Sequence, residues 1–175
     1  MKRIFASTFS ALLLMLVLTS TAFAAHKTEK EHLRIKGTVN LIETSYFDPV
    51  THALVFWTGN GSGNASHFGR FTDSFRVVLD PALPLGNLTY YHFVMANGDS
   101  LFSSGPADGT SLSPNSGHVV EAHTITGGTG RFAGASGNIT IERLVTWVWT
   151  TTPGAGGVGT SSGTFTGDIV LAEDK

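Results

Sequence analysis

Apolar and polar residues alternate along most of the chain after residue 32. Leu33, Ile35, Val39 and Leu41 share one phase, and charged or polar residues occupy the other. A period of two residues is typical of a β-strand with one buried face. The pattern predicts eight strands, at about residues 33–41, 53–58, 68–79, 88–95, 99–104, 118–126, 138–150 and 162–171. Outside the N-terminal segment, no stretch has the 3.6-residue period of an amphipathic helix.

The segments between these strands are rich in turn residues. Asn97-Gly98 is a strong signal for a two-residue hairpin. Residues 106–117 form the longest turn-rich stretch, and residues 153–159 are predicted to be a flexible loop. Five glycines in residues 127–137 predict a tight turn with positive φ, followed by a close approach of strands. Short strands joined in this way predict an all-β barrel or sandwich, and closure favours the barrel because it removes exposed edges.

The N-terminus predicts an export signal at residues 1–24. A short cationic segment precedes a wholly apolar run at 11–18 and a small-x-small cleavage pattern at 22–24. A membrane anchor is the alternative, but the run is shorter than the ~20 residues that a spanning helix needs. We therefore expect cleavage after residue 24 or 25, one mature domain at residues 25–175, no membrane anchor after cleavage, and a secreted or periplasmic location.

Composition narrows the possible partners. The chain has 11 basic and 13 acidic residues, and loss of Lys2 and Arg3 with the signal leaves 9 against 13, a formal net charge of −4. A weakly acidic domain lacks the basic surface that binds nucleic acid, so no nucleic-acid partner is expected. The chain has no cysteine, and a domain of this length does not need disulfides.

Several segments resemble one family of barrels. Residues 125–135 (ITGGTGRFAGA), with 63–71 (GNASHFGRF), 96–99 (ANGD) and 163–167 (GTFTG), resemble segments of secreted bacterial proteins of the allene oxide cyclase-like and dirigent-like class. The resemblance implies an eight-stranded antiparallel calycin-like barrel, which is often a homotrimer in the plant relatives. No stretch matches the catalytic motifs of the plant enzymes, so the resemblance implies no catalytic residue.

Four ionisable residues in the apolar phase of their strands form the candidate ligand-binding set. They are Asp73, Glu121, His123 and Arg143. If the apolar phases face the barrel lumen, all four side chains point into it. Tyr91 can join them, but Tyr90 and His92 take the opposite face, and the pattern does not choose between the two faces.

Three interpretations of this set stay open. Asp73 or Glu121 can neutralise Arg143 in a purely structural pair, because an unpaired buried charge is costly. A β-bulge can shift the phase and place these groups in solvent. The set can also line a ligand pocket, since such constellations mark functional sites.

Metal and cofactor sites are not indicated. The seven histidines are scattered, and the odd spacing of His118 and His123 places them on opposite faces of one strand. Gly128-Thr129-Gly130 precedes a predicted strand, whereas a dinucleotide-binding loop precedes a helix. The sequence therefore predicts no cofactor and no metal.

Three functions are compatible with these features of the sequence. The first is binding of a small, mostly apolar ligand in the barrel mouth, where small barrels keep their pockets. The second is a cyclase or isomerase in which Asp73 or Glu121 moves a proton, His123 assists and Arg143 steadies negative charge. The third is a non-catalytic structural or surface-interaction protein whose lumen is filled by its own side chains. Candidates for that filling are Phe71, Phe75, Phe93, Phe132 and Phe165.

Trp147 and Trp149 share one strand face and can stack on a ligand, but a core or interface role is favoured.

Overall fold

A computed structural model describes residues 30–48, 50–51, 53–150 and 156–173. The predicted export signal lies outside the described residues, as does the first part of the predicted loop at 153–159.

The described residues form nine β-strands and one short 3₁₀ helix. The strands are β1 (His32–Phe47), β2 (Leu54–Ala65), β3 (Gly69–Leu79), β4 (Asn87–Met95), β5 (Ser100–Gly105), β6 (Ala107–Ser113), β7 (Ser116–Gly128), β8 (Ser136–Trp149) and β9 (Gly157–Val170). The 3₁₀ helix spans Gly130–Phe132, between β7 and β8. The described part of the chain is therefore all-β, as its alternating pattern predicts.

Eight of the strands close into an antiparallel barrel. The order around the wall is β5-β4-β3-β2-β1-β9-β8-β7, and pairing of β5 with β7 completes the circle. β6 pairs with β7 beyond the end of β5, so the β6–β7 hairpin extends past the barrel wall. The predicted eight-stranded barrel is confirmed.

Two segments that lie outside the predicted strands belong to strands in the structure. Residues 106–117 contain β6 and the start of β7, because the turn residues there are accommodated at the sheet edge beyond Pro106. The glycine-rich run at 59–64 belongs to β2. Its alternate glycines make room for lumen side chains, as at Gly63, where an added Cβ would lie 2.4 Å from the Phe71 ring.

One end of the barrel, called here the closed end, is filled with aromatic rings. Phe68, in the β2–β3 turn, lies with its ring centroid 5.4 Å from Phe132 of the 3₁₀ helix and 6.1 Å from Phe165. Phe71 and Phe93 pack beside them, with centroids 5.6 Å apart. The contacts of Phe68 with Phe132 and of Phe71 with Phe93 are edge-to-face, a geometry that adds to the stabilisation that burial supplies.

The glycine-rich turn at residues 127–137 holds the aromatic rings of the closed end in place. Gly127, Gly130, Gly134 and Gly137 all have positive φ, between 56° and 133°, as the sequence predicts for a tight turn. These conformations favour glycine over residues with a Cβ. The turn thereby carries Phe132 over the end of the lumen, where it is buried.

Replacement of Gly63 by alanine tests the role of the lumen glycines. The new Cβ would meet the Thr38 carbonyl oxygen at 2.1 Å and the Phe71 ring at 2.4 Å. We expect Gly63→Ala to lower the free energy of unfolding by about 1–3 kcal/mol, the usual cost of overpacking, in urea titrations. Gly109→Ala is the matched control, because no atom lies within 4 Å of its added Cβ. Equal effects of the two substitutions would contradict this account of the β2 glycines.

Candidate functional site

The centre of the lumen holds an ion cluster formed by Arg143, Glu43 and Glu121, called here the Arg143 cluster. All three side chains are fully buried. The Arg143 Nε donates to Glu121 Oε2 at 3.2 Å, and Nη1 donates to Glu43 Oε1. Ser161 Oγ also donates to Glu43 Oε1, and it accepts from Arg143 Nη1 at 3.4 Å. Burial opposes the charge on Arg143, but the surrounding acidic groups, Tyr91 and both carboxylates, raise its pKa above the usual range.

The fold makes room for these long side chains by placing glycine beside them. Glu43 on β1 pairs with Gly59 on β2 and with Gly159 on β9. Arg143 on β8 pairs with Gly163 on β9, where an added Cβ would lie 2.6 Å from the Arg143 Cβ. The charged side chains therefore extend over these glycines, into space that a side chain at the glycine positions would fill.

Tyr91, His123 and Ser103 extend the polar region. The Tyr91 hydroxyl donates to Glu121 Oε2 at 3.0 Å, and burial, with the Glu121 charge, holds the pKa of Tyr91 well above 10. His123 Nδ1 lies 3.1 Å from Ser103 Oγ. Burial lowers the pKa of His123 to about 4, so the imidazole is neutral at pH 7.

Asp73 lies in the same lumen but is not an ion-pair partner of Arg143. Neither of its carboxylate oxygens has a hydrogen-bond partner among the described residues. Burial raises the pKa of Asp73 to about 7, and the positive charge of Arg143 offsets only part of this rise. The carboxyl group thus titrates near neutral pH.

All four residues of the predicted set face the lumen. Their exposed fractions are 5% for Asp73, 0% for Glu121, 2% for His123 and 1% for Arg143, so the solvent interpretation is wrong. Of the two predicted partners of Arg143, only Glu121 forms an ion pair with it.

Glu43 is the member of the cluster that is missing from the predicted set. The predicted first strand ends at Leu41, whereas β1 continues to Phe47. Glu43 has the parity of Leu41 and of the other apolar residues of β1, so extending the strand by two residues would have found it. Parity also left open the face of Tyr91, which is inward.

Several polar atoms in this lumen lack partners. Besides both Asp73 oxygens, they are Thr89 Oγ1, Glu121 Oε1, His123 Nε2 and Arg143 Nη2, among the residues that the structure describes. Most buried polar groups in folded proteins make hydrogen bonds, because leaving one unmade costs about 1–3 kcal/mol. The lumen therefore contains hydrogen-bond donors and acceptors that are still available to a further partner.

An aromatic cleft lies at the other end of the barrel, called here the open-end cleft. Trp57, Trp147 and Trp149 line it around a volume of about 230 Å³. The rest of the lining is Val145 and, from the β6–β7 hairpin, residues 109–111, 113–114 and 116–119. The ring centroids of Trp147 and Trp149 are 5.0 Å apart and stacked, and those of Trp57 and Trp147 are 5.7 Å apart. Trp149 Nε1 donates to the Pro114 carbonyl at 2.9 Å, which ties the hairpin to the barrel.

Trp57 connects the open-end cleft to the Arg143 cluster. Its Nε1 donates to Glu43 Oε2 at 2.8 Å, and the Arg143 guanidinium carbon lies 5.2 Å from its ring centroid. One side of Trp57 therefore contacts the buried ions, while the residue also lines the cleft. A molecule in the cleft would lie one side chain away from the charged layer.

The histidines at described positions do not gather into a metal site. In the part of the chain that the structure describes, no group of three or more His, Asp or Glu side chains is arranged to hold a metal ion. His118 is on the outer face, with Nε2 2.9 Å from Glu142 Oε1, opposite in direction to His123 as its spacing predicts.

Within the same described residues, no helix has the length and apolar character needed to cross a membrane.

Comparisons of the chain with protein-family models, with curated proteins and with solved structures found no match. The barrel therefore rests on the structure itself, and the resemblance to the allene oxide cyclase-like class stays a prediction from sequence motifs.

The pH dependence of stability tests the environment of Asp73. Its pKa is about 7 in the barrel, against an ordinary value of 3.8. Between these values the unfolded chain releases the proton that the barrel retains, so Asp73 makes the free energy of unfolding fall as pH rises from about 4 to 7. His123 acts in the opposite direction between its folded pKa of about 4 and its ordinary value of 6.5.

Asp73→Asn removes the contribution of Asp73 to the pH dependence of the free energy of unfolding. Relative to wild type, we expect the variant to gain stability progressively from pH 4 to 7, by on the order of a few kcal/mol, in urea titrations at a series of pH values. Asp168→Asn is the control, because that carboxylate is largely exposed and its curve should follow wild type. Parallel curves for Asp73→Asn and wild type would rule out the raised pKa.

Proposed function

We propose that this protein binds a small, mostly apolar, uncharged ligand in the open-end cleft of its barrel. The observation that carries this proposal is the position of the tryptophans. The chain has three, and all three line one cleft. Tryptophan offers a large rigid apolar surface at low entropic cost, and for this reason it is enriched at binding sites.

The lining of the cleft limits the chemistry of the ligand. None of the lining residues is Asp, Glu, Lys or Arg, and its polar members are hydroxyl-bearing residues and His118. A charged ligand would find no opposite charge at this surface and would lose hydration without compensation. The volume of about 230 Å³ is below the ~300–1,000 Å³ of sites for drug-sized molecules, which favours a molecule with one or two rings.

The difference between the two ends of the barrel supports entry of the ligand through the open end. Phe68 and Phe132 cover the closed end, with their rings in contact. At the other end the cleft lies between the barrel rim and the β6–β7 hairpin. The Arg143 cluster holds Trp57 in position through its bond to Glu43, so the charged layer acts as a rigid floor for the ligand.

A second candidate function is a cyclase or isomerase in the same barrel, favoured by Asp73. An unpartnered, buried carboxyl group with a pKa of about 7 is suited to general acid–base catalysis near neutral pH. Cyclisation and isomerisation need no net donor or acceptor of electrons. In this case the substrate would pass Trp57 to reach Asp73, so replacing Asp73 would abolish turnover and spare binding in the cleft.

Binding of 6-propionyl-2-(dimethylamino)naphthalene, a neutral apolar fluorophore with two rings, tests the primary proposal. Tryptophan emission overlaps the absorption of this probe, and every tryptophan of the chain lines the cleft. We expect saturable binding with energy transfer from tryptophan to the probe. Trp149→Ala should weaken binding by about tenfold, equivalent to a loss of about 1.4 kcal/mol of binding free energy.

The control is Phe102→Ala, which removes an exposed aromatic ring from the outer wall and should leave the dissociation constant unchanged. Absence of saturable binding to folded wild-type protein, or equal affinities for wild type and Trp149→Ala, would contradict the proposal. Native mass spectrometry of the chain exported by its own signal peptide then asks which molecule the cleft holds in its source.

A further inference from the structure

Exposed apolar side chains are concentrated at the open end of the barrel. This end is formed by the β1–β2, β3–β4 and β6–β7 connections and by the end of β8 and the start of β9. Its described residues are called here the open rim, and they lie in the ranges 46–56, 78–88, 108–116, 148–150 and 156–158. Sixteen large hydrophobic side chains are exposed in the described part of the chain; eleven belong to the open rim, and the other five lie along the outer wall. Among those of the rim, Val50 is 83% exposed, Val148 74% and Leu112 60%.

Aromatic rings form part of the open rim. The rings of Tyr46 and Phe56 are stacked, with centroids 5.6 Å apart, and both side chains are exposed. Trp149 is also exposed, and its ring centroid lies 5.9 Å from that of Phe47. Tryptophan and tyrosine are enriched where proteins meet the headgroup layer of a bilayer, because each combines an apolar ring with a polar edge.

The basic side chains of the barrel lie away from the open rim. Five of the seven Lys and Arg residues at described positions belong to the closed end: Lys30, Arg34, Lys36, Arg70 and Arg131. Arg143 is buried in the lumen, and Arg76 lies on the outer wall of β3, over the ring of Tyr90. About 40 Å of strand separates Arg34 from Tyr46 on β1. The described open rim therefore contains no Lys or Arg.

The acidic side chains of the open rim are three aspartates. At described positions they are Asp48, Asp80 and Asp108. Asp48 Oδ1 accepts a hydrogen bond from the backbone N–H of Val50 at 2.8 Å. Asp80 Oδ1 accepts one from the backbone N–H of Ala82 at 2.9 Å. The rim thus combines exposed apolar side chains with negative charge, and two of its carboxylates stabilise the turns that present the apolar groups.

This combination selects among the partners that an apolar rim can contact. A second copy of the chain, placed rim to rim, would bring three carboxylates against three others. An anionic lipid surface would repel the rim for the same reason. A zwitterionic lipid presents a cationic choline group, which carboxylates attract and aromatic rings bind through cation–π contacts. Beneath that layer, its acyl chains can take up the apolar side chains.

The shape of the open rim also favours a lipid surface. Its apolar side chains project from separate turns and strand ends around the barrel mouth, among them Val50, Leu85, Leu112 and Val148. A fluid bilayer accommodates side chains at different heights, whereas a folded protein partner would need a complementary surface for each of them.

We propose that the open rim is a peripheral, reversible docking site for the surface of a zwitterionic bilayer. Val50 and Val148 enter the boundary between headgroups and acyl chains, while the closed end with its basic side chains stays in water. The open-end cleft lies at the same rim, so an apolar ligand dissolved in the bilayer would reach it without crossing water. The docking itself does not depend on that ligand.

Flotation of the mature exported chain with phosphatidylcholine vesicles tests the docking. We expect reversible partitioning of wild type at about 1 mM lipid, in the range of a single acyl-chain anchor. Val148→Glu places a carboxylate in the apolar layer and should weaken partitioning at least ~fivefold. Leu144→Glu is the matched control, because Leu144 is 56% exposed on the same strand but lies outside the rim. It should partition as wild type does, and vesicles of phosphatidylglycerol should bind wild type more weakly than phosphatidylcholine.

Circular dichroism and thermal unfolding show that both variants are folded before their partitioning is interpreted. No partitioning of folded wild type, equal partitioning of the two variants, or stronger partitioning into phosphatidylglycerol would each overturn the proposal. A lipid-free oligomer that Val148→Glu alone dissociates would overturn it as well, because the rim would then hold a second copy.

Binding of the naphthalene fluorophore without vesicles separates this proposal from the proposed function. Val148 does not line the open-end cleft, so Val148→Glu should keep the wild-type affinity for the fluorophore. A rim that fails to dock and a cleft that fails to bind are therefore distinct results.

Discussion

The buried pairing of Arg143 with Glu43 and Glu121 is the constraint around which this barrel is arranged. A guanidinium group inside a protein is costly unless it is paired and hydrogen-bonded, and removal of one partner leaves a buried charge uncompensated. The three residues lie on β8, β1 and β7, so the pairing joins the neighbouring strands β7 and β8 to β1, on the other side of β9. Glycines on β2 and β9 open the space that these side chains cross. The charged layer and the glycine positions therefore depend on each other.

The cluster divides the lumen into two parts with different properties. Towards the closed end, phenylalanine rings pack together with aliphatic side chains in the main hydrophobic cluster. Towards the open end, Trp57 covers the ions and forms part of the aromatic cleft. One half of the lumen is thus filled by its own side chains, and the other half opens into the cleft in which we propose that a ligand binds. The proposed ligand would contact a rigid floor, because Trp57 is bonded to Glu43 and lies against Arg143.

Much of this fold could be predicted because side-chain parity is a local property. Alternation located the strands, Asn97-Gly98 located a hairpin, and parity placed Asp73 and Arg143 in the lumen. Of the two carboxylates that pair with Arg143, Glu121 was predicted as a partner. The pairing with Glu43 could not be predicted in the same way, because Glu43 lies 100 residues earlier and meets Arg143 only after β9 has paired with both β1 and β8. The pKa of Asp73 was equally beyond reach, since it depends on burial in three dimensions. The β6 strand escaped prediction because its turn-rich composition is tolerated at a sheet edge.

The unfolding free energy of charge-deleted variants tests the central claim most directly. Arg143→Met alone leaves Glu43 and Glu121 buried without their cation, so we expect it to cost about 3–5 kcal/mol at pH 7. Adding Glu43→Gln and Glu121→Gln to that variant removes the uncompensated charges, and the triple variant should be more stable than Arg143→Met. A cost below about 1 kcal/mol for Arg143→Met, or a triple variant no more stable than the single one, would contradict the view that this ion cluster organises the barrel.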